Sequence, residues 1–192
     1  MTTYRDWVAM SGTAKSGAVV SLRPLHGEDI HMIGKWRNSS HMRDLLAIDY
    51  PVSYDQINHW LQRAITNLEA NPSSISLGIS VDGDLVGTCG IHGISLRHRH
   101  AMLGIYIGEE KFRKGGIGSA VYEMLLRFVF HELDLRCVDA NVYGNNEPSQ
   151  KLHLRFGFRE VQRKPVWELR EGKYQDFLTY WISKEIWLER QK

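Results

Sequence analysis

Arg113-Lys114-Gly115-Gly116-Ile117-Gly118-Ser119 is a glycine-rich turn carrying two cations. Glycine has no Cβ, so such a turn lets the backbone come close to a ligand. Where the turn opens a helix, the first amides have no partner inside that helix and lie at the positive end of its dipole. Together these features make a phosphate cradle, built mostly from backbone N–H groups. A second chemical stretch is Asn146-Glu147-Pro148-Ser149. Asn146 is a good N-cap, and Pro148 fits a first turn where its missing N–H costs nothing. His153 follows in the Leu152-His153-Leu154 run, and an imidazole with an ordinary pKa of about 6.5 can pass a proton near neutrality.

The elements that must hold these groups can be read around them. Residues 101–108 form a short, largely buried strand leading into the glycine turn. After the turn, Ile117, Val121, Met124, Leu125, Phe128 and Val129 recur at helical spacing to about Leu133. Gly157 suits the left-handed position that ends the helix opened by Asn146. Upstream, Val19–Arg23 reads as a strand stopped at Pro24 and 27–36 as a helix. Ser53-Tyr54-Asp55-Gln56 has the form of a capping box opening a helix to about Ala70. Ile75, Leu77, Ile79 and Val81 alternate as in a half-buried strand, and Asp82-Gly83 turns it into a strand that runs towards Ile94. Residues 135–143 form another strand, and Glu171-Gly172 turns a final hairpin between 161–169 and 174–181.

Three glycine-loop chemistries compete. A P-loop needs Lys-Ser or Lys-Thr after its last glycine, and Gly118 is followed by Ser119-Ala120. A dinucleotide fingerprint needs Gly-x-Gly-x-x-Gly in a parallel βαβ unit, a spacing absent here. Arg113, Gly116 and Gly118 satisfy the third pattern, Arg/Gln-x-x-Gly-x-Gly/Ala. In this pattern, in Asn146-x-x-Ser149 and in the Gly157-Phe158 that ends the second helix, the chain resembles the GNAT acetyltransferase superfamily. The resemblance runs over about residues 19–183.

That resemblance implies an α+β fold: one GNAT-like domain with a mixed, mostly antiparallel sheet of about seven strands and about four flanking helices. It implies acetyl-CoA as acyl donor and direct attack of a primary amine on the thioester. Arg113, Lys114, Gly115, Gly116, Ile117, Gly118 and Ser119 would hold the pyrophosphate, and the backbone of Ile105, Tyr106 and Ile107 would face the thioester carbonyl. Asn146 and Ser149 would hold the pantetheine arm. His153 stands where many members carry a tyrosine, which makes it the candidate acid. Relatives often have a glutamate base where this chain has Met102, so the base falls to water or to Glu109, Asp49 or a loop histidine. The segments that build the acceptor pocket contain Arg37, Asn38, Tyr50 and Trp167, with Trp36 leaning to the core.

The acceptor stays open: a protein N-terminus, a polyamine, an amino sugar or another small amine. A polyamine pocket would need carboxylates such as Glu28, Asp29, Asp44 and Asp49 to cluster. Two rival readings also stand, a non-catalytic acyl-CoA-binding or sensing module and a nucleotide-binding protein. Whole-chain properties set the bounds. The 192 residues fit one domain, expected over 18–192 behind a flexible leader at 1–17. With 43% hydrophobic and 24% charged residues and a net charge of +2, neither disorder nor a nucleic-acid partner is indicated. No run is apolar enough for a bilayer, and no signal-peptide core opens the chain, so a cytoplasmic location is the default. Cys89 and Cys137 fit buried thiols, no metal site is indicated, and a homodimer is compatible with the family.

Overall fold

The computed structural model describes residues 10–42, 50–66, 73–170 and 172–192. Its strands are β1 (Ser11–Thr13), β2 (Val19–Pro24), β3 (Ser74–Val81), β4 (Asp84–Ser95), β5 (His100–Ile107), β6 (Cys137–Tyr143), β7 (Arg159–Arg170) and β8 (Lys173–Ser183). They form one eight-stranded sheet in the order β1-β2-β3-β4-β5-β6-β8-β7. Every neighbouring pair is antiparallel except β5 and β6. The helices are α1 (Ile30–Arg37), α2 (Tyr54–Thr66), α3 (Ile117–Arg127), α4 (Glu147–Phe156) and α5 (Lys184–Glu189).

Local chemistry accounts for most element ends. Asp82 and Gly83 both have positive φ, 51° and 97°, as a two-residue hairpin turn with the twist of its strands requires. The capping box at Ser53 is formed: Gln56 N–H donates to Ser53 Oγ, and Ser53 N–H donates to Gln56 Oε1. Gly157 ends α4 with a φ of 91°. On one side of the sheet, Ile117, Val121 and Leu125 of α3 pack with Ala101 and Leu103 of β5 in the main core. On the other, Ile30, Ile33 and Trp36 of α1 meet Ile57 and Leu61 of α2 in a second core, with Leu85 and Tyr106 at its edge.

Some expectations change. β3 is buried along nearly its whole length rather than on one face, because α2 covers the side that alternation assigned to solvent. Residues 11–17, expected in a mobile leader, instead form β1 and a turn. β1 pairs with β2 from Ser11↔Ser21 to Thr13↔Val19, and Ser16 N–H donates to the Gly115 carbonyl at 3.0 Å. A short edge strand of small polar residues is held by main-chain bonds, so no side-chain period announces it. The sheet is therefore one strand larger than expected, and α5 adds a C-terminal helix capped by Ser183. Cys89 and Cys137 are buried free thiols.

Candidate active site

β5 and β6 pair over only three positions, from His100↔Cys137 to Met102↔Asp139, and then separate. Beyond Met102, one edge of β5 has lost its strand partner while the other stays paired with β4 as far as Ile107. Peptide groups on that open edge need partners from elsewhere. The gap opens into a groove of about 960 Å³ lined by Ile105, Tyr106 and Ile107, by the glycine turn, and by the start of α4. Arg113, Lys114, Lys151, Arg155 and Lys173 stand on its walls, and among the described residues no carboxylate does. Such a field favours an anionic ligand.

The glycine turn reaches α3 through consecutive left-handed residues, Gly115 at φ 86° and Gly116 at φ 91°. A Cβ at Gly116 would stand 3.1 Å from the Lys15 nitrogen, so the turn after β1 lies against the loop. Gly116 is the N-cap of α3 and offers no capping side chain, so the first amides of the helix are not satisfied by it. Gly118 faces the groove among Ile105, Ile107 and Leu152. Lys114, Gly115, Gly116, Gly118 and Ser119 all line the groove. Ile117 does not line the groove, and Arg113, which does, has a second task. Ile117 turns into the core, 2% exposed. Arg113 folds back, its guanidinium donating to the carbonyls of Ile107 and Gly108 at 3.2 and 3.1 Å. It fastens the turn to the end of β5.

Asn146 and Ser149 border the groove from α4. Asn146 Oδ1 accepts the Ser149 N–H at 3.2 Å, the bond of an N-cap. His153 does not join them. Its side chain is 2% exposed and lies outside the groove lining. Nδ1–H donates to the Ser149 carbonyl at 2.6 Å, which leaves Nε2 to accept from the Tyr122 hydroxyl. Tyr122, Phe158 and Tyr180 enclose the ring. Burial outweighs the Ser149 bond and pushes its pKa down to about 4. The acid role read from the sequence therefore meets a sealed, neutral imidazole, because a helix register that buries this position also removes it from the ligand.

Residues 20–159 match the model of the acetyltransferase (GNAT) domain. The chain belongs to the GNAT acetyltransferase family. It is 26% identical over 178 residues to the SPbeta prophage-derived uncharacterized N-acetyltransferase YokL of Bacillus subtilis, across 92% of this chain and 96% of that one. Mycobacterium smegmatis RimJ, solved in complex with CoA-disulfide, superposes with a TM-score of 0.79 at 23% identity, covering 93% of this chain and 89% of that one. Spermidine N-acetyltransferase from Vibrio cholerae, solved with CoA and spermine, gives 0.77 at 20% identity over 88% and 98%. These structures share the α+β fold with the chain.

The acceptor residues expected of this acetyltransferase are dispersed. Asn38 brackets Val52, donating to its carbonyl at 3.0 Å and accepting its N–H at 2.7 Å. Arg37 stacks on Trp60, 4.4 Å from the ring centre. Tyr50 is 80% exposed, and Trp167 lies beneath Lys164 on the β7–β8 hairpin. None of the four lines the groove; His41 and Tyr106 do. Trp36 is core, as expected, and its indole N–H donates to Glu109 at 2.8 Å, which occupies that candidate base. Asp29 is tied to Arg23 by paired bonds of 2.8 and 2.9 Å, so it is not available to a polyamine pocket. Asp44 and Asp49 lie outside the described residues.

Three groove cations were missed in the sequence. Lys151 and Arg155 stand one helical turn apart on α4, a spacing that could have flagged them; Arg155 donates to Ser119 Oγ at 2.9 Å and so ties the last turn of α4 to the first turn of α3. Lys173 reaches the groove from the last hairpin, which only the tertiary fold reveals. Among the described residues no cluster of His, Cys, Asp and Glu is arranged for a metal ion, and no helix is long and apolar enough to cross a membrane.

Proposed function

We propose that this acetyltransferase binds acetyl-CoA in the groove between β5 and β6 and transfers the acetyl group directly to a primary amine. One observation carries the reading: the open edge of β5 ends at a glycine turn whose helix start lacks a side-chain cap, inside a groove whose charged lining residues, among those described, are all cations. The amides of the turn suit a pyrophosphate, and Lys114, Lys151, Arg155 and Lys173 supply the countercharge. Backbone N–H groups around Ile105–Ile107 are the donors available to a carbonyl oxygen that gains charge, a role worth about 2.7–4 kcal/mol of barrier per donor. Asn146 and Ser149 border the path of the pantetheine arm. With His153 sealed, the departing thiolate takes its proton from the attacking nitrogen or from water.

The acceptor enters from the side of α1 and α2, where Tyr106 and His41 reach the groove. The test is CoA release from acetyl-CoA with spermidine, glucosamine and peptides carrying a free N-terminal alanine or serine. Release that depends on one class of amine supports the reading and names the acceptor. Binding of acetyl-CoA without transfer to any of them would favour an acyl-CoA-binding module instead.

A further inference from the structure

Met102 cannot take a proton, so the attacking ammonium must lose one elsewhere. We propose that His92, on the neighbouring strand, is the general base for the amine; this rests on the transferase reading above. Cross-strand partners share a face of a sheet. The pairs His92↔Met102, Gly90↔Gly104 and Thr88↔Tyr106 therefore lie in line on the α1 and α2 side, leading to the groove. The His92 ring leans along this row. A Cβ at Gly90 would stand 2.5 Å from His92 Nε2, and one at Gly104 would stand 3.7 Å away. Two facing glycines thus leave the imidazole a bed that any other residue at position 90 would fill. The ring lies level with Gly104, and the groove lining begins at Ile105, the next residue along β5.

The bonding of His92 fits the task. Nδ1 is paired with Ser74 Oγ at 2.8 Å. With the proton on Nδ1 donated to Ser74, the Nε2 lone pair faces the row towards Tyr106. The nearest groups on its face are Ser74 of β3, and Met102 and Gly104 of β5. His100 lies one step beyond Met102 and is itself bonded to Asp139 at 2.8 Å, while Tyr106 lies on the groove side. No charged side chain is a cause of its shift: partial desolvation, with one side of the residue open to solvent, holds the imidazole below its ordinary pKa.

The step balances simply. The ammonium gives one proton to Nε2, and the free amine attacks the thioester carbonyl carbon. The C–N bond forms and the C–S bond breaks. The second N–H proton goes to the departing thiolate, and the imidazolium returns its proton to solvent.

The experiment measures kcat/KM against pH with acetyl-CoA and either spermidine or an N-terminal-alanine peptide, for the unaltered protein, His92→Gln and His92→Gln/Met102→Glu. A base of this kind contributes about 10²–10⁴-fold. His92→Gln is expected to lower kcat/KM by about 100-fold or more and to abolish an acid limb below pH 6.5, with acetyl-CoA affinity unchanged. Met102→Glu in that background should restore part of the rate and shift the limb into the carboxylate range, a rescue that a structural role for His92 would not show. An unchanged rate and limb in a folded His92→Gln protein would overturn the assignment and leave the transferase reading intact. An unaltered protein that binds acetyl-CoA but acetylates none of spermidine, glucosamine and the free-N-terminus peptides would overturn both.

Discussion

Two helices begin at the groove, and they begin differently. α3 starts from Gly116, a residue without a side chain to cap it, after two left-handed glycines. α4 starts from Asn146, which accepts the Ser149 N–H itself. The first helix start has no side-chain cap, so its amides stay open to a ligand; the second has its Ser149 N–H taken by Asn146 and presents a polar rim. Cations gather around both, so charge alone does not separate them. The difference lies in which backbone donors remain open, and under the proposed function it would set the most anionic part of the ligand at α3.

The largest expected effect comes from closing the α3 side. Gly118→Leu adds a side chain among Ile105, Ile107 and Leu152, inside the groove. We expect acetyl-CoA affinity to fall by at least 100-fold, measured by titration calorimetry, while the ligand-free melting temperature stays level or rises as glycine leaves a helix. Unchanged affinity would erase the contrast between the two starts.

The next effect concerns the inner face of α4. His153 has a folded-state pKa of about 4 against an ordinary 6.5. Its depressed value means that the unfolded chain binds the extra proton first as pH falls. The stabilising contribution is therefore full above 6.5 and disappears as pH drops through the window to about 4, a loss of about 3 kcal/mol. Melts between pH 7 and 4 should show this slope in the unaltered protein and lose that part of it in His153→Phe. The same variant orphans the Tyr122 hydroxyl and should cost about 1–3 kcal/mol at pH 7. Its turnover per folded molecule should hold, which would sharpen the assignment of His153 to packing.

Asn146→Ala removes the cap that distinguishes α4. A cost of about 1 kcal/mol in denaturant unfolding is expected, with acetyl-CoA affinity weakened less than in Gly118→Leu. The smallest effect is that of Lys151→Ala. Lys151 makes a 2.8 Å ion pair with exposed Glu147 and also lines the groove. Stability should not change measurably. Affinity for acetyl-CoA should fall severalfold at low salt and converge with that of the unaltered protein at high salt.

The site was legible in the sequence where the signal is local. Glycine spacing, the Asn146 cap, the Gly157 stop and the Asp82-Gly83 turn each depend on a few adjacent residues, and each stands as read. What failed depends on partners distant in the chain. Leu152-His153-Leu154 shows two apolar residues around a polar one, yet His153 is buried and Leu154 is 54% exposed. The reversal follows from Tyr122, whose hydroxyl gives the imidazole a partner inside the core. Arg113 lines the groove, but its bonds to the carbonyls of Ile107 and Gly108 depend on how the turn packs on β5 and left no mark in the sequence. β1 is bound by main-chain pairing that leaves no hydrophobic period. His92 had no motif to mark it; only the register of β4 on β5 sets it beside Met102.

The most direct measurement is a thermal melt of the protein with acetyl-CoA, CoA, ATP and NADH added separately, repeated with Gly118→Leu. A ligand that binds only the folded state adds about 2.7 kcal/mol at a hundred times its dissociation constant. The account predicts a rise of several degrees with acetyl-CoA and CoA, none with NADH, a smaller or absent rise with ATP, and no response to any of them in Gly118→Leu. Equal shifts in the two proteins, or none with acetyl-CoA in the unaltered one, would contradict the assignment of the groove.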